Sequence, residues 1–143
     1  MKVSDILTDK GREVLTIDAG ATLIEAAQSL DTNRIGALVV LDADGSLAGV
    51  ISERDIVRIA ARNGSAALTS PVSVAMTRDV HTASPGDSLD DLMIEMTDRR
   101  IRHLPVIDGG QLAGMVSIGD VVKRKIESAE AEADAMKRYI SAG

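Results

Sequence analysis

The chain of 143 residues has no cysteine, no phenylalanine and no tryptophan, and a single tyrosine, Tyr139. Without cysteine there is no disulfide framework and no thiolate chemistry. Without aromatic rings the core must be packed from Val, Ile, Leu, Ala and Met, and a flat ligand must be held between aliphatic side chains rather than stacked. No apolar run approaches the length that spans a bilayer. The opening "MKVSDILTDKG" lacks the apolar stretch of a secretion signal, so the expected location is cytoplasmic. The net charge of −6 argues against nucleic acid or an anionic membrane as partner. Histidine occurs twice, at His81 and His103, too few to suggest a metal centre. There is no P-loop and no nucleophile with a base beside it. His81, Ser84 and Asp87 lie close together but read as turn and cap residues ahead of a helix. An enzyme is therefore not expected.

What is present is a duplication. Residues 16–42 laid on 82–108 give eight identities in 27 positions, including Gly20/Gly86, Leu23/Leu89, Arg34/Arg100 and Asp42/Asp108. After a one-residue gap, 47–57 laid on 112–122 give six more in 11. A repeat of about sixty residues, seen twice, organises the chain.

Each copy reads as strand, helix, strand, strand, helix. Thr22 with Glu25, and Ser88 with Asp91, mark helix starts. "ALVVLD" and "HLPVID" are strands rich in branched residues. "DADG" and "DGG" are turns, and "LAGVIS" and "LAGMVS" are return strands. Pro105 requires a strand position whose N–H is not needed. The expected fold is α/β of the α+β kind, with two tandem β-α-β-β-α repeats related by a pseudo-twofold axis and sharing one core. The expected divisions are 1–63, a linker at 64–75, 76–126, and a helical tail at 127–143. In that tail Val122, Ile126, Ala129, Ala133, Met136 and Ile140 recur at alternating spacings of four and three. A helix running to about residue 140 could lie on its own domain or pair with a partner.

The repeated chemistry is Gly-x-x-Ser-x-x-Asp: Gly49, Ser52, Asp55, then Gly114, Ser117, Asp120. One reading is a helix cap, with Ser accepting first-turn N–H groups and Asp favoured by the helix dipole. The other is a ligand turn. A helix start following a strand binds anions, glycine admits close backbone approach, and a carboxylate there can take two ribose hydroxyls.

These residues, with Met76-Thr77 and "RRIRHLPVID" at 99–108, resemble the CBS domain, and the chain looks like a CBS pair, or Bateman module, over roughly residues 3–125. The resemblance implies a regulatory module that binds an adenosine nucleotide (AMP, ADP, ATP or NAD, or an S-adenosyl compound) and catalyses nothing itself. No cofactor is required. It implies that Asp55 and Asp120 hold ribose and that Ser52 and Ser117 reach phosphate, with Arg54 and Gly119 between them. It places Val50, Ile51, Met76, Thr77 and Val80 with the Asp55 ligand, and Met115, Val14, Ile35 and Gly36 with the Asp120 ligand. Thr8 and Arg12 are further candidates for the second. Arg102 and His103 stand where the family carries phosphate-facing cations, whereas the first copy has Gly36 and Ala37 there. Expected partners are the nucleotide, a second copy in a homodimer, and a regulated protein reached in trans, since 143 residues leave no room for an attached effector domain. The alternative is a ligand-free interaction or dimerisation module.

Overall fold

The computed structural model describes residues 1–142. It contains helix α1 (Val3–Lys10), strand β1 (Thr16–Asp18), α2 (Leu23–Asn33), β2 (Ala37–Leu41), β3 (Leu47–Ser52), α3 (Glu53–Asn63), α4 (Leu89–Arg99), β4 (His103–Asp108), β5 (Gln111–Ser117) and α5 (Ile118–Ala142). They form two compact units. One is residues 13–82; the other is residues 1–12 together with 83–143.

In the unit of residues 13–82, β1 runs parallel to β2, and β2 pairs antiparallel with β3. The capping box at Thr22 and Glu25 forms as read: Glu25 N donates to Thr22 Oγ1 at 3.2 Å, and Thr22 N to Glu25 Oε2 at 3.1 Å. It starts α2, whose Leu23, Ala26 and Leu30 are buried against Leu38, Val40 and Ile51. α3 ends at Gly64, which takes φ +84° and donates its N–H to Ala60 O at 2.9 Å.

The other unit repeats the plan with β4 and β5. Its leading strand is reduced to a single bridge between Ala83 and Val106. Ala83 N donates to Pro105 O, and Ile107 N to Ala83 O, both at 2.8 Å. The bonds on that side come from residues flanking Pro105 and from its carbonyl, so the missing N–H is not called upon. α2 and α4 both end on an arginine in the left-handed region, Arg34 at φ 53° and Arg100 at φ 55°. The identity of these two positions is therefore accounted for by equivalent helix ends.

The buried residues form two clusters, one within each unit. One feature departs from the sequence reading: residues 64–75 are more than a linker. They hold two short 3-10 turns, Ser65–Thr69 and Val72–Val74, and Val72 is fully buried in the core of residues 13–82.

The reason is a second duplication, too short to stand out in sequence. "VSDILT" at 3–8 and "VSVAMT" at 72–77 share Val, Ser and Thr, and they make the same bonds. Val3 N donates to Asp87 O and Ser4 N to Pro85 O; Val72 N donates to Ala21 O and Ser73 N to Ala19 O. Met1 O accepts from Leu89 N, and Ser70 O from Leu23 N. Asp87 and Pro85 are the repeat equivalents of Ala21 and Ala19. The segment before each repeat thus packs in the other repeat's unit. Val3 and Val72 are fully buried there, and that burial holds each segment in place.

α5 is a continuous helix of 25 residues, as the tail's periodicity predicts. No helix among the described residues is long and apolar enough to cross a membrane.

Candidate functional site

Both Ser-x-x-Asp turns sit where a strand hands over to a helix. At the first, Ser52 is the N-cap of α3: Asp55 N donates to Ser52 Oγ at 3.2 Å, and Asp55 Oδ2 accepts Ser52 N at 3.0 Å and Ser52 Oγ at 3.0 Å. The second makes the same box. Asp120 N donates to Ser117 Oγ at 3.1 Å and Ser117 N to Asp120 Oδ2 at 2.9 Å. The capping reading is thus present in the geometry of both copies. Each box uses Oδ2.

The glycine three residues before each serine is needed for space. A Cβ on Gly49 would meet the backbone oxygen of Thr77 at 2.4 Å and Met76 Sδ at 3.0 Å; one on Gly114 would meet Leu7 Cδ2 at 2.5 Å. Met76 and Leu7 are equivalent residues of the duplicated leading segment. Both segments therefore lie directly over the strand that ends in the Ser-x-x-Asp turn.

They continue differently. After Met76 the chain extends along β3, with Val50 N donating to Thr77 O at 3.0 Å and Thr77 N to Val50 O at 2.9 Å. After Leu7 the chain stays helical through Lys10. The Lys10 ammonium then donates to Met115 O at 2.9 Å and to Asp120 Oδ2 at 2.7 Å. Met115 is the repeat equivalent of Val50, so an ammonium takes the carbonyl position that an amide takes in the first copy.

The electrostatics follow. Burial acts to raise the Asp120 carboxyl pKa. The Lys10 ammonium and the Ser117 amide and hydroxyl overcome it and hold the group below the ordinary carboxylate value. At Asp55 the cation beside the carboxylate is Arg58, with Nη1 3.7 Å from Oδ1 and one helical turn on.

Of the residues named with Asp55, the structure brings Val50, Met76 and Thr77 together over β3. Ile51 is fully buried in the apolar core, so only its backbone is available to a ligand. Val80 is half-buried in a turn closed by its N–H to Arg78 O, and Arg54 is exposed on the first turn of α3.

Of those named with Asp120, Met115 lies beside Lys10, and Gly119 is exposed in the first turn of α5. His103 is in register with Ser117. Arg102, exposed, accepts the N–H of Ile118 on its carbonyl at 2.8 Å. Arg102 and His103 therefore flank the start of α5. Gly36 occupies the matching place beside α3, where its carbonyl accepts Glu53 N at 3.1 Å. Val14, half-buried, and Ile35, packed on its own core, lie with Gly36 in the unit of residues 13–82.

Thr8 and Arg12 are engaged elsewhere. Thr8 Oγ1 donates to Ser4 O at 2.9 Å, and Arg12 pairs with Asp108 at 3.8 Å. The residue of that segment that reaches the turn is Lys10, which the sequence reading missed. It lies beyond the duplicated six residues, and nothing local marks it. Ser84 N donates to Asp87 Oδ2 at 2.8 Å, the turn that the sequence suggests there. Among the described residues no group of three His, Cys, Asp or Glu is placed to hold a metal ion.

Comparisons with known proteins match this architecture. The family model for the CBS domain matches residues 3–62 and 72–127. A mitochondrial CBS domain-containing protein of Arabidopsis thaliana, CBSX3, is 34% identical, with 99% of this chain and 72% of that protein covered. A crystal structure of a CBS-domain containing protein from Agrobacterium tumefaciens superposes with a TM-score of 0.85 at 47% identity, covering 87% of this chain and 92% of that one. The CBS domain pair of protein MJ0100, solved in complex with 5-methylthioadenosine and S-adenosyl-L-methionine, superposes with a TM-score of 0.79 at 28% identity over 90% of this chain and 98% of that one. The chain belongs to the CBS-domain family, as a pair of CBS repeats forming a regulatory module.

Proposed function

We propose that this CBS pair is a sensor that binds adenosine-containing nucleotides at its two Ser-x-x-Asp turns and catalyses no reaction itself. One observation carries the reading. Both motifs hold a part-buried carboxylate at a helix start, engaged by the serine amide through Oδ2, beside a glycine whose missing side chain admits close packing of an overlying segment. A carboxylate oxygen so placed suits the paired hydroxyls of a ribose, and the positive end of the helix dipole beside it suits a phosphate. The complex of the MJ0100 pair with two adenosine compounds supports the choice of ligand class.

The two turns differ in charge, so the ligands divide. Lys10, Arg102 and His103 gather around the start of α5, and the Asp120 turn takes the phosphorylated ligand. The Asp55 turn, next to Gly36 and Ala37, favours adenosine without phosphate. The module works as a homodimer and passes its state to a regulated protein.

A second reading is a ligand-free interaction module. It is favoured by the closed capping boxes, which satisfy both motifs without a nucleotide.

A thermal-shift series with adenosine, AMP, ADP, ATP, NAD and S-adenosylmethionine decides. Ligand at a hundredfold over its Kd adds about 2.7 kcal/mol, roughly 5–10 °C for a domain of this size. If none of the six moves the midpoint, the sensor reading fails and the interaction module stands. Because the chain has one Tyr and no Trp, absorbance at 260 nm in the purified protein also reports nucleotide carried through purification.

A further inference from the structure

The C-terminal half of α5 leaves its own unit. Val121 is buried, Arg124, Lys125 and Ser128 are half-buried, and every residue from Ala129 to Ala142 is exposed. Arg124 pairs with Asp9 and Lys125 with Asp90, which fixes the start of the helix on the unit. The seam Val122, Ile126, Ala129, Ala133, Met136, Ile140 lies about a quarter-turn away from that docked face. Its large members are open: Val122 is 40% exposed, Ile126 54%, Met136 62% and Ile140 71%. The alternating spacing of four and three is that of a two-stranded coiled coil, with Ile126, Ala133 and Ile140 at the a positions and Val122, Ala129 and Met136 at d.

This assignment sets the flanks. Lys123, Glu130 and Lys137 occupy e, and Lys125, Glu132 and Tyr139 occupy g. In a parallel, in-register pair each g residue faces the e residue five places on in the second copy. That sets Lys125 against the second copy's Glu130 and Glu132 against the second copy's Lys137, both attractive. Lys125 already contacts Asp90, so the selection falls mainly on Glu132 and Lys137.

An antiparallel pair that uses all six seam positions aligns Lys123 with Lys137, Glu130 with Glu130 and Glu132 with Glu132. Every charged contact is then repulsive. Sliding that arrangement by one heptad restores attraction but strands either Val122 and Ile126 or Met136 and Ile140. Charge and apolar pattern agree only in the parallel arrangement.

We infer that the exposed half of α5 is a self-association surface whose occupant is the same helix of a second copy, parallel and in register. The inference is independent of any nucleotide.

The absence of cysteine makes the test clean, because each introduced thiol is the sole one in its chain. Met136→Cys places two sulfurs across the seam of a parallel pair, whereas Ala131→Cys lies on the outer face. On mild oxidation of the full chain by dioxygen, two thiols give one disulfide. Met136→Cys is expected to cross-link at least tenfold faster than Ala131→Cys.

Equal rates overturn the proposal. So does faster cross-linking in a mixture of Ile126→Cys and Met136→Cys chains than in Met136→Cys alone, which is the antiparallel signature. Sedimentation of unlabelled chains supplies a second readout. Lys137→Glu is expected to weaken self-association several-fold, and Glu132→Lys with Lys137→Glu to restore it. A dimer indifferent to both changes places assembly on another face and overturns the proposal.

Discussion

The two Ser-x-x-Asp turns share sequence, capping box and flanking glycine, yet one carboxylate carries a lysine and the other does not. The difference lies in the segment laid over each glycine. At Gly49 the chain leaves Met76 in extended form, and Thr77 exchanges two backbone bonds with Val50. At Gly114 the chain stays helical past Leu7 and delivers Lys10 to Met115 O and Asp120. The motif determines the shape of the turn. The overlying segment determines its charge, and in each case that segment is the one preceding the other repeat.

The sharpest way to break the comparison is at the carboxylates. Asn keeps the shape of Asp and still accepts the cap bond, so Asp55→Asn should lower stability by no more than about 1 kcal/mol. As a ribose ligand it loses charge-assisted bonds of about 1.5–3 kcal/mol each, so adenosine affinity at that turn falls by roughly tenfold to a hundredfold. Asp120→Asn should do the same to AMP. Calorimetric titration of each variant, beside its melting midpoint, reads both effects. Parental binding with only a lowered midpoint would leave Asp55 and Asp120 as cap residues.

The glycines sharpen the comparison on the side of stability. A methyl at Gly49 meets a backbone oxygen that cannot move alone, whereas at Gly114 it meets the end of the Leu7 side chain, which can rotate. Gly49→Ala should therefore cost about 1–3 kcal/mol, and Gly114→Ala clearly less. Urea midpoints test the order. Equal losses would mean that the two overlying segments are held alike.

Lys10→Met asks whether the lysine belongs to the ligand or only to the fold. AMP affinity at the Asp120 turn should fall roughly three- to tenfold, the scale of one partly exposed ion pair. Adenosine affinity should hold or rise, because the carboxylate is freed. A parallel loss for both ligands would make Lys10 a structural strut.

The smallest effect concerns pH. The folded Asp120 carboxyl titrates below its ordinary value, so its contribution to stability is present above the ordinary carboxylate pKa. It is lost as pH falls through the folded value. Parent and Lys10→Met should therefore differ in melting midpoint at neutral pH and converge in acid. A gap that stays constant across that range would show that Lys10 acts through packing alone.

Much of this was legible in the chain itself. The dense identities between 16–57 and 82–122, Thr22 with Glu25, Ser88 with Asp91, and the apolar rhythm of 122–140 all depend on neighbours within a few residues or on self-similarity. Such signals survive in one dimension. They specified the repeats, the four caps, the position of each Ser-x-x-Asp turn and the long final helix.

Tertiary structure decided the rest. The matches between 3–8 and 72–77 are too few to stand out, and these segments acquire their role only by burying Val3 and Val72 in cores built from distant residues. That burial turned an expected linker into core and gave each unit an apolar cluster of its own. It also carried Lys10 to a carboxylate 110 positions away. A contact over that distance leaves no local mark, because its partners are chosen by packing, and packing exists only once the chain has folded.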